Sequence, residues 1–189
     1  FKQKTAYEIP KRDWSSDVCS SDLSLAAGTA GAAYSASISV SGGTTPYGWS
    51  ASGLPLGLSV AAGRISGTPL ESGSFSPVVT VTDAAGRTTS RTYSLTIGFG
   101  KWSPANGTKL ANTTTTVTLT WYPHAGGSGY RWCAAASTKA CSSWTTTGAT
   151  SATVPTLPGQ AWNWQVQVLI GGTWTGANGG SGWKFSINR

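Results

Sequence analysis

His124 is the single histidine of the 189-residue chain, and so the one side chain whose ordinary pKa suits it to move a proton near neutral pH. A serine activated by that imidazole would need a carboxylate behind the ring. Downstream of residue 23 the only carboxylates are Glu71 and Asp83, and strand spacing places both in a different domain from His124. The same scarcity removes the carboxylate pair that glycoside hydrolysis requires. No Cys/His spacing suits zinc, and no glycine-rich loop suits a phosphate. Calcium could be held only weakly, through backbone carbonyls, because so few carboxylates are present. Asp83, followed by Ala84, Ala85 and Gly86, reads as a hairpin turn. The residues therefore predict no enzyme, no catalytic residue, no metal site and no cofactor beyond weakly held Ca2+, and His124 reads as an exposed loop residue.

Tryptophan is the other chemistry-bearing type. The chain has ten, all but Trp14 downstream of residue 23, and their faces can stack on sugar rings. Trp121, Trp132, Trp162, Trp164 and Trp183 fall on inward-alternating positions, where a core accounts for them. Trp102, Trp144 and Trp174 fall in expected loops or an edge strand. With Tyr122 and the nearby bases Lys101 and Lys139 they are candidates for a glycan platform; the alternative is ordinary interdomain or edge packing. Cys133 and Cys141 stand about one hairpin apart, at the end of one expected strand and near the start of the next. Pairing them would constrain the unfolded chain by roughly 2 to 3 kcal/mol and would need an oxidising compartment; the alternative is two reduced thiols.

The elements that must position these residues are strands. Charged residues are 10% of the chain, Gly 25 and Met 0, a composition that favours strands and turns over helix. Tyr34, Ala36, Ile38 and Val40 alternate onto one face; so do Phe75, Val79 and Val81, and then Tyr93, Leu95 and Ile97. Farther on, Val117, Leu119 and Trp121 alternate, as do Tyr130, Trp132 and Ala134, then Trp162, Trp164, Val166 and Val168, and last Trp183, Phe185 and Ile187. Gly- and Pro-bearing turns separate the runs, among them Gly63 to Pro69 and Asp83 to Arg87. This pattern predicts an all-β protein of two Ig-like antiparallel β-sandwich domains in tandem, over 24–98 and 101–189, with a linker at 99–100.

Lys2 to Leu23, KQKTAYEIPKRDWSSDVCSSDL, resembles the in-frame translation of a common short-read sequencing adapter. We set residues 1–23 aside as an assembly artefact, expected to be disordered, and expect the gene to be truncated upstream, the chain being a C-terminal fragment of a larger protein. Cys19 falls in this segment, so the odd cysteine needs no partner. The segment's Lys2, Lys4, Lys11 and Arg12 balance Glu8, Asp13, Asp17 and Asp22, leaving the whole net charge of +7 downstream. Such a surface attracts anionic polymers weakly, but its bases are too scattered for specific nucleic-acid recognition. No apolar run approaches the roughly 20 residues that cross a bilayer, so no transmembrane segment is expected.

GGTTPYGWS at Gly42 to Ser50, LPLGLSV at Leu54 to Val60, GRISGTP at Gly63 to Pro69 and VTVTDAAGRT at Val79 to Thr88 resemble the bacterial putative-Ig repeat, a cadherin-like domain that recurs in tandem in surface proteins. The resemblance implies a stalk or adhesion module without an active site. SPANGT at Ser103 to Thr108, TLTWYP at Thr118 to Pro123, GYRWC at Gly129 to Cys133, LPGQAWNWQVQV at Leu157 to Val168 and GWKFSI at Gly182 to Ile187 resemble a bacterial fibronectin type III module. That likeness implies a seven-stranded sandwich with Trp121 in its core. One departure is Trp162, which stands where a tyrosine usually bonds back to the backbone; the corner is then held differently. The expectation is a non-catalytic, extracellular, secreted or cell-surface pair of spacer or adhesion modules, monomeric, with a glycan or a surface protein as partner if one is bound. The alternative is a carbohydrate-binding accessory module of an extracellular hydrolase.

Overall fold

The computed structural model describes residues 23–188. The adapter-like segment up to Asp22, with its expected disorder, lies outside the described residues, while Leu23 already belongs to a strand. The fold is all-β, two Ig-like sandwiches in tandem. The first contains β1 (Leu23–Ser24), β2 (Gly28–Thr29), β3 (Tyr34–Ser37), β4 (Gly48–Ser52), β5 (Leu58–Ala61), β6 (Arg64–Gly67), β7 (Gly73–Phe75), β8 (Val78–Thr82) and β9 (Thr88–Gly98). β9 is the spine of one sheet, flanked by β8 and β7 along one edge and by the short parallel strands β1 and β2 along the other. β4 adds to the far side of β8, and β3, β6 and β5 make the opposing sheet. Along β9, Tyr93, Leu95 and Ile97 are buried between exposed Thr92, Ser94 and Thr96, because successive side chains of a strand point to opposite faces. They pack with Val79 against Tyr34 and Ile65 of the other sheet.

The β8–β9 hairpin is the one expected at Asp83, and the carboxylate itself ties it down. One oxygen accepts from the N–H groups of Ala85 at 3.0 Å and Arg87 at 2.9 Å. The other accepts from the Arg87 guanidinium at 2.6 and 2.9 Å and from the N–H of Thr44, across the sandwich end, at 3.1 Å. Burial works to raise the Asp83 pKa, but the Arg87 side chain, the backbone N–H donors and the Arg87 charge together outweigh it and hold the value below the ordinary one. A carboxylate depressed on folding contributes stability that is present above its unfolded pKa and lost as pH falls through the folded one. The first module is therefore expected to weaken progressively below about pH 4. Asp83→Asn should be less stable than wild type at pH 7 and should flatten that acid slope in urea titrations.

The second sandwich contains β10 (Lys101–Ser103), β11 (Thr108–Leu110), β12 (Thr116–Trp121), β13 (Tyr130–Ala136), β14 (Thr145–Thr147), β15 (Ser151–Pro155), β16 (Ala161–Ile170), β17 (Thr173–Gly176) and β18 (Trp183–Ile187). β10, β12 and β15 form one sheet; β11, β18, β16, β13 and β14 form the other, with β17 on the free end of β16. Val117, Leu119, Trp121, Trp164, Val166, Val168, Phe185 and Ile187 fill the space between the sheets. Phe99, from the expected linker, is buried with them. At the corner, the Trp162 indole lies parallel to the Phe185 ring at 6.3 Å, and its buried Nε1 has no hydrogen-bond partner. Stacking holds this corner in place of the missing phenol. No helix among the described residues is long and apolar enough to cross a membrane.

Candidate functional site

The four aromatic residues proposed from the sequence as a glycan platform fall into two separate pairs. Trp174 lies on β17 and Trp144 just ahead of β14, on the two flanks of the large sheet. Between them, on β13, the Arg131 guanidinium sits 4.9 Å from the Trp144 ring centre and 4.6 Å from that of Trp174. Alternation along β13 explains the placement: Tyr130 points into the core, so Arg131 points out. Register then puts Gln167 of β16 opposite Arg131, and its carbonyl accepts from Arg131 Nε at 2.7 Å. Each indole commits one face to the cation, an arrangement worth roughly 0.5 to 2 kcal/mol per ring. Cys133, two residues along β13 on the same face as Arg131 but buried, is bonded to Cys141, with a Cα separation of 5.7 Å.

Trp102 and Tyr122 form the other pair, their rings stacked at 5.7 Å and 20° beside the junction of the modules. Trp102 is 63% exposed. Tyr122 instead packs against the first module's core and crowds Gly31, where a Cβ would stand 2.6 Å from the phenol ring.

Lys101 corrects the expectation that it lies beside Trp102 as a surface base. The strand alternation that turns Trp102 outward turns Lys101 inward, where only 3% of it is exposed. Its ammonium lies 5.4 Å from the Trp164 ring centre and 5.3 Å from that of Trp183, and it donates to the Ser181 carbonyl. Burial pushes its pKa down to about 8. Because the folded value lies below the unfolded 10.5, the unfolded chain binds more protons between the two, and stability rises with pH through that window. A gain of about 1 to 2 kcal/mol from pH 7.5 to 10 is expected, below the full linkage value because solvent screens part of the effect. Lys101→Met should lose most of this gain in paired urea titrations. Lys139 is exposed, beyond the end of β13.

His124 corrects the sequence reading as well. It is partly buried at the junction, its ring edge-on to Phe99 at 6.3 Å and its backbone N–H donating to the Tyr130 hydroxyl at 3.1 Å. Burial lowers its pKa, which favours the neutral ring. Nothing in the sequence marks the residue that meets it. Ser72 of the first module, wholly buried, pairs with His124 in an isolated parallel bridge. Its N–H and its Oγ both donate to the Pro123 carbonyl, at 2.9 and 3.0 Å, and its own carbonyl accepts from the N–H of Ala125 at 2.7 Å. Among the described residues no three of His, Cys, Asp and Glu gather in a set that would hold a metal ion.

Residues 17–98 match the family model described as "Putative Ig domain". No curated protein matches the chain. The solved structures similar to it include the FN1-FN3 domains of chicken CNTN1, at 10% identity over 89% of this chain, with a TM-score of 0.35. This chain spans 66% of that one's length. Also similar are the fibronectin(III)-like modules of Clostridium thermocellum CbhA, at 10% identity over 89% of this chain and 92% of that one, TM-score 0.33. A third is Bacteroides ovatus SGBP-B, solved in complex with a mixed-linkage heptasaccharide, at 14% identity over 90% of this chain and 45% of that one, TM-score 0.31.

Proposed function

We propose that the chain is a pair of non-catalytic extracellular spacer or adhesion modules that hold whatever is attached to them at a set separation. The observation that carries this reading is the junction at Ser72. Three hydrogen bonds cross between the modules there, all of them made by the buried Ser72, and buried polar groups keep such bonds because leaving them unmade costs about 1 to 3 kcal/mol each. Phe99 and Gly100, between the modules, are buried as well, so a flexible tether is not what connects them. The disulfide favours an oxidising compartment.

A second reading, carbohydrate recognition by a module attached to a hydrolase, draws on Trp144 and Trp174. They flank one cation on one outward face, so a sugar would meet the faces and edges turned away from Arg131. A glycan array probed with the full oxidised chain separates the two readings. The spacer reading expects a silent array. Binding that Trp144→Ala and Trp174→Ala each abolish would overturn it in favour of a carbohydrate-recognition module.

A further inference from the structure

Arg131 is a cation without an anion. Its Nε–H donates to Gln167 at 2.7 Å and its guanidinium lies over the Trp144 and Trp174 rings, but its Nη1 and Nη2 groups donate to nothing among the described residues. The sequence offers them no carboxylate nearby. From residue 84 onward it contains no Asp or Glu. The two described carboxylates of the first module are already engaged, Glu71 by the Leu56 N–H at 2.7 Å and Asp83 by Arg87 at 2.6 Å. An anion for Arg131 must therefore come from outside the fold.

The guanidinium is also held in place. Register sets Gln167 opposite Arg131, and the bond to its amide limits rotation of the planar fork. Trp144 follows Cys141 by three residues, and the Cys133–Cys141 bond ties that end of the loop to β13. A group ordered beforehand loses little freedom when it takes a ligand. The Nη pair of a guanidinium matches the two oxygens of a carboxylate.

The surroundings indicate what carries that carboxylate. Two indoles offer flat apolar surface beside the fork, suited to the faces of sugar rings. Gln165 is the next outward position of β16 after Gln167, and its side-chain amide makes no hydrogen bond among the described residues. Such an amide can both donate to and accept from hydroxyls. A uronic acid uses all three features together: the carboxylate, the ring face and the hydroxyls.

We propose that Arg131 is the receptor for the carboxylate of a uronic acid, with Trp144 and Trp174 stacking on sugar rings beside it and Gln165 meeting a hydroxyl. The second module then takes acidic polysaccharides in preference to neutral ones. This deepens the carbohydrate reading above and rests on it.

The test titrates the full oxidised chain with oligomers of galacturonate, glucuronate and mannuronate, and with the same oligomers after their carboxylates are reduced to primary alcohols. At least one uronate oligomer should bind, and its reduced form should bind about tenfold or more weakly. Arg131→Lys keeps the charge but not the fork, and should lose about tenfold or more of the uronate affinity. Lys139→Gln, at an exposed base beyond the end of β13, should leave that affinity unchanged. Equal affinity for a uronate oligomer and its reduced form would overturn the proposal while leaving the carbohydrate reading standing; silence from every oligomer would sink both. Oligoglutamate bound as tightly as the uronate would also overturn it, because the carboxylate would then need no sugar. The comparison of acidic with reduced oligomers uses the wild-type chain, and so decides the matter even if Arg131→Lys fails to fold.

Discussion

Trp164→Ala is expected to cost the second module about 3 to 5 kcal/mol, the range for truncating a buried aromatic. Trp164 is 0% exposed at the middle of β16, edge-on to Trp183 at 6.0 Å and 87°, and its ring is one of the two that face the Lys101 ammonium. Truncation leaves a cavity and also strips a buried cation of half its aromatic cover, and the two effects add because the same side chain supplies both. Small domains are commonly stable by only about 5 to 15 kcal/mol, so the loss is a large share of the total. In a urea titration followed by amide signals, resonances from the second module should vanish at markedly lower urea while those of the first hold their midpoint. The Trp164→Ala chain should also lose the rise in stability between pH 7.5 and 10, since Lys101 would then be wetter in the folded state. An unchanged midpoint for the second module would mean that Trp164 is not packed as described.

Gly67→Ala should do comparable damage to the first module. The runs LPLGLSV and GRISGTP meet as the hairpin of β5 and β6, with Leu58 opposite Gly67. There the backbone of one glycine rests on that of the other. A Cβ on Gly67, at φ 139°, would stand 2.1 Å from the Gly57 carbonyl oxygen, and a Cβ on Gly57, at φ 88°, would stand 2.1 Å from that of Thr68. The contact cannot open cheaply, because the Gly57 carbonyl also accepts from the N–H of Thr68 at 3.1 Å. Backbone strain of roughly 1 to 2 kcal/mol joins an overpacking cost of about 1 to 3 kcal/mol. We expect a loss of about 2 to 5 kcal/mol from the first module alone. Gly86→Ala is the control: its φ of 78° is equally left-handed, but a Cβ there meets nothing within 4 Å, so it should cost only the strain. Equal losses at the two positions would contradict the close approach.

The cores were legible because period-two alternation is a property of the strand itself. Tyr93, Leu95 and Ile97, Val117, Leu119 and Trp121, and Trp164, Val166 and Val168 are inside as their spacing implies. Turn chemistry located the hairpin at Asp83, though not the reach of its carboxylate to Thr44, which depends on a loop far off in sequence. Lys101 was misread because its type argued for the surface. The signal that would have found it is the alternation from Phe99 through Lys101, two positions on one face. The Trp144–Arg131–Trp174 arrangement depends on the registers of β14 and β17 against their neighbours, which no local pattern specifies. Ser72 gave no signal at all: a serine between Glu71 and Gly73 looks like any loop residue, and only the approach of Pro123 and Ala125 makes it a junction.

The central claim is that the two modules act as one body, and 15N relaxation of the full chain measures that directly. The account predicts a single rotational diffusion tensor for amides of β8 and β9 and for those of β13 and β16. Ser72→Leu, which has no space at the buried junction, should split it into two faster and separate motions with both modules still folded. Independent tumbling of the modules in the wild-type chain would contradict the account.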